Sequence, residues 1–138
     1  LESATGAVRM LAPGIYGLSN HLLDTPWPKL LKLREGLAAL LPKLPDDDAL
    51  LALLRDSTPA PDPHLPETGV SLEWERWLSP AFIRAPGYGT RCSSLLTVDR
   101  QGGTRLREWT WDTHGDLHGD VTHRFTVQQP AGDPQPVS

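Results

Sequence analysis

The chain has 138 residues, which suits one domain of ordinary size. Hydrophobic residues make up 38% and the formal charge is −4, so a modest core is affordable and a nucleic-acid binder is disfavoured; no basic run stands out either. Cys92 is the only cysteine, which excludes an internal disulfide and a cysteine-rich zinc site, and no apolar stretch reaches the ~18–20 residues of a membrane span.

A reducing, cytoplasmic setting fits this cysteine usage. "LESATGAVRMLAPG" lacks the long apolar region of a signal peptide. The chain begins with Leu1 rather than Met, as expected of a processed protein or a part of a longer one. "AVRMLAPG" reads as a short strand before a turn, and "GIYGLSNHLL" as a second extended piece. Two glycines within four residues favour unusual backbone angles or close approach, and Ser19 and Asn20 offer hydrogen-bonding groups where the backbone turns. Asp24 or Thr25 is expected to cap a helix with Pro26 at its first position. Leu30, Leu33, Leu37 and Leu40 recur at helical steps, and Leu31 and Leu41 widen the stripe. Pro42 and Pro45 end this helix, and Asp46 caps the next, with Asp47 and Asp48 suited to the positive end of its dipole. Leu50, Leu51, Leu53 and Leu54 form its apolar face.

"STPAPDPHLPET", residues 57–68, carries four prolines and reads as an exposed loop. "SLEWERWLS" is expected to form a short helix with Leu72, Trp74, Trp77 and Leu78 partly buried. "AFIRAPGYGTR" reads as a strand followed by a Pro-Gly turn. "CSSLLTVD" and "TRLREWTW", separated by "RQGG", give a hairpin signal. "DVTHRFTV" places Val121, His123, Phe125 and Val127 on one face, so an antiparallel meander with one buried face is expected. Trp109 and Trp111 share a strand face and are core candidates. The tail, residues 129–138, has little to bury and is expected to be disordered. The order of elements predicts an α+β fold, an antiparallel sheet with helices packed on one face.

Several residues admit a plain structural role. Asn20 can bond local backbone, Arg91 can serve a structural ion pair, Tyr16 and Tyr88 can pack at the border of a cleft, and Trp27 can anchor a helix start. Cys92 reads as a small buried hydrophobe rather than a redox thiol. His114, His118 and His123 have spacings that do not match a helical ligand pair, and Gly115 and Gly119 point to loop, so no metal site is expected.

"GIYGLSNHLLDTPWPKL", residues 14–30, together with "PGYGTRCSSLLTVD", residues 86–99, resembles the NRDE family, which includes the transport-and-Golgi-organisation protein 2 group. The resemblance covers roughly residues 11 to 112. It implies a relation to the N-terminal-nucleophile hydrolases, with their four-layer αββα sandwich. Family members begin with Met-Cys and carry an early Asn-Arg-Asp-Glu motif; neither occurs here. Residues 1–128 therefore resemble the C-terminal part of such a domain, with the N-terminal half as the expected partner, and the fragment alone is expected to be inert. In that hydrolase class an N-terminal cysteine attacks an amide carbonyl, with its own amino group as base. By this resemblance Asn20 takes the oxyanion-donor role and Arg91 the place of a cation beside the nucleophile. Tyr16, Ser19, Tyr88 and Thr90 fall in the same two blocks as substrate-binding candidates. Asn20 and Arg91 are expected to line one concavity, within about 10 Å. No cofactor is expected. A competing reading is a carrier that uses the same cleft for a small ligand; family members have been connected with haem movement and acyl-CoA or lipid handling. Half of a sandwich should also leave one sheet face exposed and apolar.

Overall fold

The computed structural model describes residue 8 and residues 10–127. The tail expected to be disordered, and part of the strand expected over residues 7–14, lie outside the described residues. The fold is α+β: three helices precede two small antiparallel sheets. The chain divides into two compact units, one up to Gly89 and one from Thr90 onward.

The first unit holds helix α1 (Pro28–Leu40), α2 (Asp47–Leu54), α3 (Leu72–Leu78) and a hairpin of β1 (Arg84–Ala85) and β2 (Tyr88–Gly89). No strand forms among the described residues before α1. α1 starts two residues later than expected. Trp27 is its N-cap and Pro28 its first residue, where the missing N–H costs nothing. Asp24 is unavailable as a cap because it closes a loop instead. Leu30 is buried and Leu33, Leu37 and Leu40 half-buried, but Leu31 and Leu41 are exposed, so the apolar stripe is narrower than the sequence suggested. A one-turn 3₁₀ helix through Pro42 follows α1. Asp46 caps α2 as expected, its carboxylate accepting from Ala49 N–H at 2.9 Å, and Leu50 is the buried residue of that helix.

α3 departs from expectation. Leu72, Trp74 and Trp77 are 52%, 40% and 38% exposed, and the residue the helix buries is Glu75. The proline-rich segment 57–68 is not simply an exposed loop. The Ala60 N–H donates to Ser79 Oγ at 2.9 Å, and Arg76 forms a two-bond pair with Asp62 at 2.8 and 2.5 Å. These contacts tie the segment to α3, and Leu65 and Pro66 become half-buried. The Phe82 N–H donates to the Asp56 carbonyl at 2.9 Å, and Phe82 is buried. The Pro-Gly turn forms between β1 and β2, with Gly87 at φ +71°, a conformation that glycine adopts without penalty.

The second unit is a three-stranded meander of β3 (Cys92–Val98), β4 (Gly103–Trp111) and β5 (Leu117–Thr126). The register pairs Leu96 with Leu106 and Trp109 with Asp120. β5 begins earlier than expected, so His118 and Gly119 belong to a strand rather than a loop. Each turn is closed by an aspartate. Asp99 Oδ1 accepts from Gln101 N–H and Gly103 N–H, and Asp112 Oδ1 accepts from His114 N–H and Asp116 N–H, all at 2.8–2.9 Å. One face carries the buried Trp109 and Trp111; Trp111 Nε1 donates to Ser93 Oγ at 3.1 Å, and the Arg107 guanidinium lies 4.6 Å from the Trp109 ring centre.

On the opposite face Leu96, Val98, Val121 and Phe125 are 51–60% exposed. The face of β5 expected to be buried is thus an open apolar one. Period-2 alternation assigns residues to a common face without deciding which face is covered. Cys92, expected to be buried, is exposed at the start of β3 on this open face.

Candidate functional site

Gly17 and Asp24 close a loop around the Asn20 segment. The Gly17 N–H donates to Asp24 Oδ1 at 2.8 Å, and the Asp24 N–H donates back to the Gly17 carbonyl at 2.8 Å. Gly17 is required by close approach: a Cβ there would meet the Leu30 side chain at 2.5 Å. Asp24 takes φ +60° and also pairs with Arg34 at 3.1 Å. Farther round the loop, His21 Nδ1 and Thr25 Oγ1 are 2.9 Å apart, and Thr25 Oγ1 donates to the Leu22 carbonyl. Asn20, between these closures, makes no side-chain hydrogen bond among the described residues.

Asn20 lines a cavity of about 330 Å³ whose walls all belong to the first unit. That volume lies in the range of small-molecule sites. Tyr88 lines it too, and Trp74 packs edge-on to the Tyr88 ring at 6.2 Å. Trp27, Pro66, Leu78 and Ile83 supply further apolar wall. The turn through Pro86 and Gly87 puts Tyr88 at this wall, and the loop closed by Gly17 and Asp24 carries Asn20 to the same cavity.

Two charged side chains complete the lining, and neither was singled out by the sequence. Lys29, in the first turn of α1, donates from Nζ to the Leu78 carbonyl at 3.0 Å and lies 5.7 Å from the Trp27 ring centre. Desolvation by its surroundings holds the Lys29 ammonium below the usual lysine range. Glu75 is 6% exposed, and its Oε1 accepts from both the N–H and the hydroxyl of Thr68 at 2.7 and 2.6 Å. Lys29 reads in sequence as a polar residue on an amphipathic helix, and Glu75 as the solvent side of α3. Only the positions of Leu78 and Thr68, 49 and seven residues away, give them their roles.

Two of the remaining predicted residues belong to the first unit and two to the second. Tyr16 bonds local backbone, its hydroxyl donating to the Ala12 carbonyl at 2.8 Å, and is not in the cavity wall. Ser19 is half-buried beside Asn20 but also outside that wall. Thr90 and Arg91 belong to the second unit. Arg91 is exposed immediately before β3, and its carbonyl accepts from Trp111 N–H at 2.8 Å. A second cavity, of about 320 Å³, shares Pro28, Lys29 and Ser79 with the first, but its charged residues Lys32 and Asp56 are paired with each other. No helix among the described residues is long and apolar enough to cross a membrane.

The fold and site define an α+β protein whose first unit holds a small-molecule-sized cavity with a short asparagine loop at its wall. Residues 2–113 match the family model described as Transport and Golgi organisation 2, and the chain belongs to that family. It is 34% identical over 134 residues to the Transport and Golgi organization protein 2 homolog of Homo sapiens, and 31% identical over 137 residues to that of Bos taurus. A Mus musculus homolog is 29% identical over 140 residues. Each match covers 86% of this chain and 47% of the relative, so the chain spans about half the length of these relatives.

Proposed function

We propose that this family member binds a small organic molecule in the cavity of its first unit, with Asn20 as a polar contact. The observation that carries this reading is the meeting of Asn20 and Tyr88, 68 positions apart, in one cavity lined both by apolar side chains and by Lys29, Thr68, Glu75 and Ser79. A pre-closed loop presents an amide without committing its hydrogen bonds elsewhere, and such a group fixes ligand orientation at little ordering cost.

A second reading concerns chemistry. It is favoured by the uncommitted Asn20 amide, which has the donor character needed beside a developing oxyanion. In this proposal the protein is an amide or acyl hydrolase of the N-terminal-nucleophile type. Arg91 stands as the cation that favours a thiolate or holds a substrate carboxylate, and Tyr16, Ser19 and Thr90 stand as further substrate contacts. The nucleophile would come from the part of the family's length that this chain does not span. Ser79, in the cavity wall, is no substitute, because its hydroxyl already donates to the Arg76 carbonyl and accepts from Ala60 N–H.

Amide-resolved NMR titration of a small-molecule library against the full chain tests the first reading. Ligands should shift the Asn20 and Tyr88 amides together, and Asn20→Ala should weaken them. Ligands that bind only outside the cavity would overturn it. For the hydrolase reading, a full-length relative should turn over members of an amide, ester and thioester panel. Alanine at the residue matching Asn20 should lower kcat by roughly 10²–10³ with little change in binding. Loss of binding without any turnover by the parent would leave the carrier role.

A further inference from the structure

Lys29 and Glu75 line the same cavity from different helices and do not pair with each other. Each is held by neutral partners of its own. Lys29 Nζ spends one of its three N–H donors on the Leu78 carbonyl. Glu75 spends Oε1 on Thr68, while Oε2 has no hydrogen-bond partner among the described residues. The described residues contain no fully buried side-chain oxygen or nitrogen lacking a partner. Oε2 must therefore keep some accessible surface, although Glu75 as a whole is 94% buried by its 6% exposure. Glu75 lines the cavity, and we take this opening to face it.

Charges drawn out of water and kept apart are costly unless something answers them. A single-ended ligand would answer one and leave the other in an environment made drier by its own binding. Resting on the binding role assigned to the cavity above, we propose that it recognises a small amino-acid-like or amide-bearing molecule: an N–H donor faces Glu75 Oε2, a carbonyl or carboxylate oxygen faces the Lys29 ammonium, and an aromatic or aliphatic body extends from the group that carries both along the apolar wall. Trp27 and Tyr88 provide walls for that body. The lowered affinity of Lys29 for its proton fits an ammonium kept poorly hydrated until an acceptor arrives.

Three probes of one size separate this from plain apolar binding: phenylalanine, which carries both ends, phenethylamine, which carries the donor alone, and 3-phenylpropionate, which carries the acceptor alone. Each is titrated into the full chain and followed at the Asn20, Thr68 and Tyr88 amides. Phenylalanine is expected to bind at least about tenfold tighter than either single-ended probe, since a hydrogen bond to a charged group is worth a factor of that order. Lys29→Met should erase its advantage over phenethylamine, and Glu75→Gln its advantage over 3-phenylpropionate. If either variant fails to fold, the three-way comparison on the unaltered chain still decides. Equal affinities, or none for these probes while purely apolar ligands occupy the cavity, would overturn this inference and leave the binding role intact. Failure of every small molecule to reach the cavity would overturn both.

Discussion

The two units solve the same problem in opposite ways. The sheet of the second unit is held by neighbours in sequence: consecutive strands pair, and each turn is pinned by an aspartate within four residues. The first unit is held by polar contacts between distant segments. Lys29 reaches Leu78 and Ser79 holds Ala60, 49 and 19 positions apart, with Glu75 holding Thr68 across a shorter span of seven. The lesson is that the cavity sits where order is non-local. The meander is a scaffold whose strands and turns follow from period-2 patterning and local turn residues, whereas the cavity exists only after separate segments have met.

The largest expected effect breaks the local unit. Trp109→Ala removes one of the largest fully buried side chains and should cost about 3–5 kcal/mol, read from chemical denaturation. Amides of β3 to β5 should lose protection from hydrogen exchange; retained protection would refute the core role of this ring. Next comes the non-local unit. Glu75→Ala strands the N–H and hydroxyl of Thr68 and should cost about 2–3 kcal/mol. The loss should register at segment 66–79 and spare the meander. Gly17→Ala drives a Cβ into Leu30 and should cost about 1–3 kcal/mol. It should also shift the Asn20 amide resonance, because it disturbs the loop closure; an unshifted Asn20 amide would contradict that.

The smallest effect compares the units in acid. Asp62 in the first unit is held below the usual carboxylate range by its hydrogen bond from Arg76, and Asp112 in the second by backbone N–H donors, led by Asp116. A carboxyl depressed on folding contributes stability that is present above its unfolded value, near 4, and is lost as pH falls through the lower folded value. Asp62→Asn and Asp112→Asn should each flatten the acid limb of the stability curve below about pH 4. Asp62 is exposed and Asp112 sits half-buried in a surface turn, so each change should be slight. Hydrogen exchange should assign the first to the loop 57–68 and the second to the turn between β4 and β5.

How much could be read in advance follows the same division. The hairpin at "RQGG", the cap at Asp46, the Pro-Gly turn and the burial of Trp109 and Trp111 rest on signals contained within a few residues. So does the loop that carries Asn20, where two glycines and a polar pair marked an unusual turn. The identity of the covered sheet face was not legible, because Val121 and Phe125 alternate as well as Trp109 and Trp111 do. Glu75 was missed because a glutamate between two tryptophans reads as the wet side of a helix; only Thr68, delivered by a proline-rich segment, makes its burial tolerable. Asp24 was misassigned to the helix because a cap and a loop closure make the same demand on a carboxylate, acceptance of a nearby backbone N–H.

The bond from Lys29 to the Leu78 carbonyl spans 49 positions. In kinetic terms it is a late contact: closing so long a stretch of chain costs entropy before the contact returns anything, while a hairpin turn closes at once. After dilution from denaturant, amides of the meander should acquire protection ahead of those around Lys29, Glu75 and Tyr88. A ligand present during refolding would then find no receptor until the last steps, and should leave the early rates unchanged while slowing the unfolding of the finished chain.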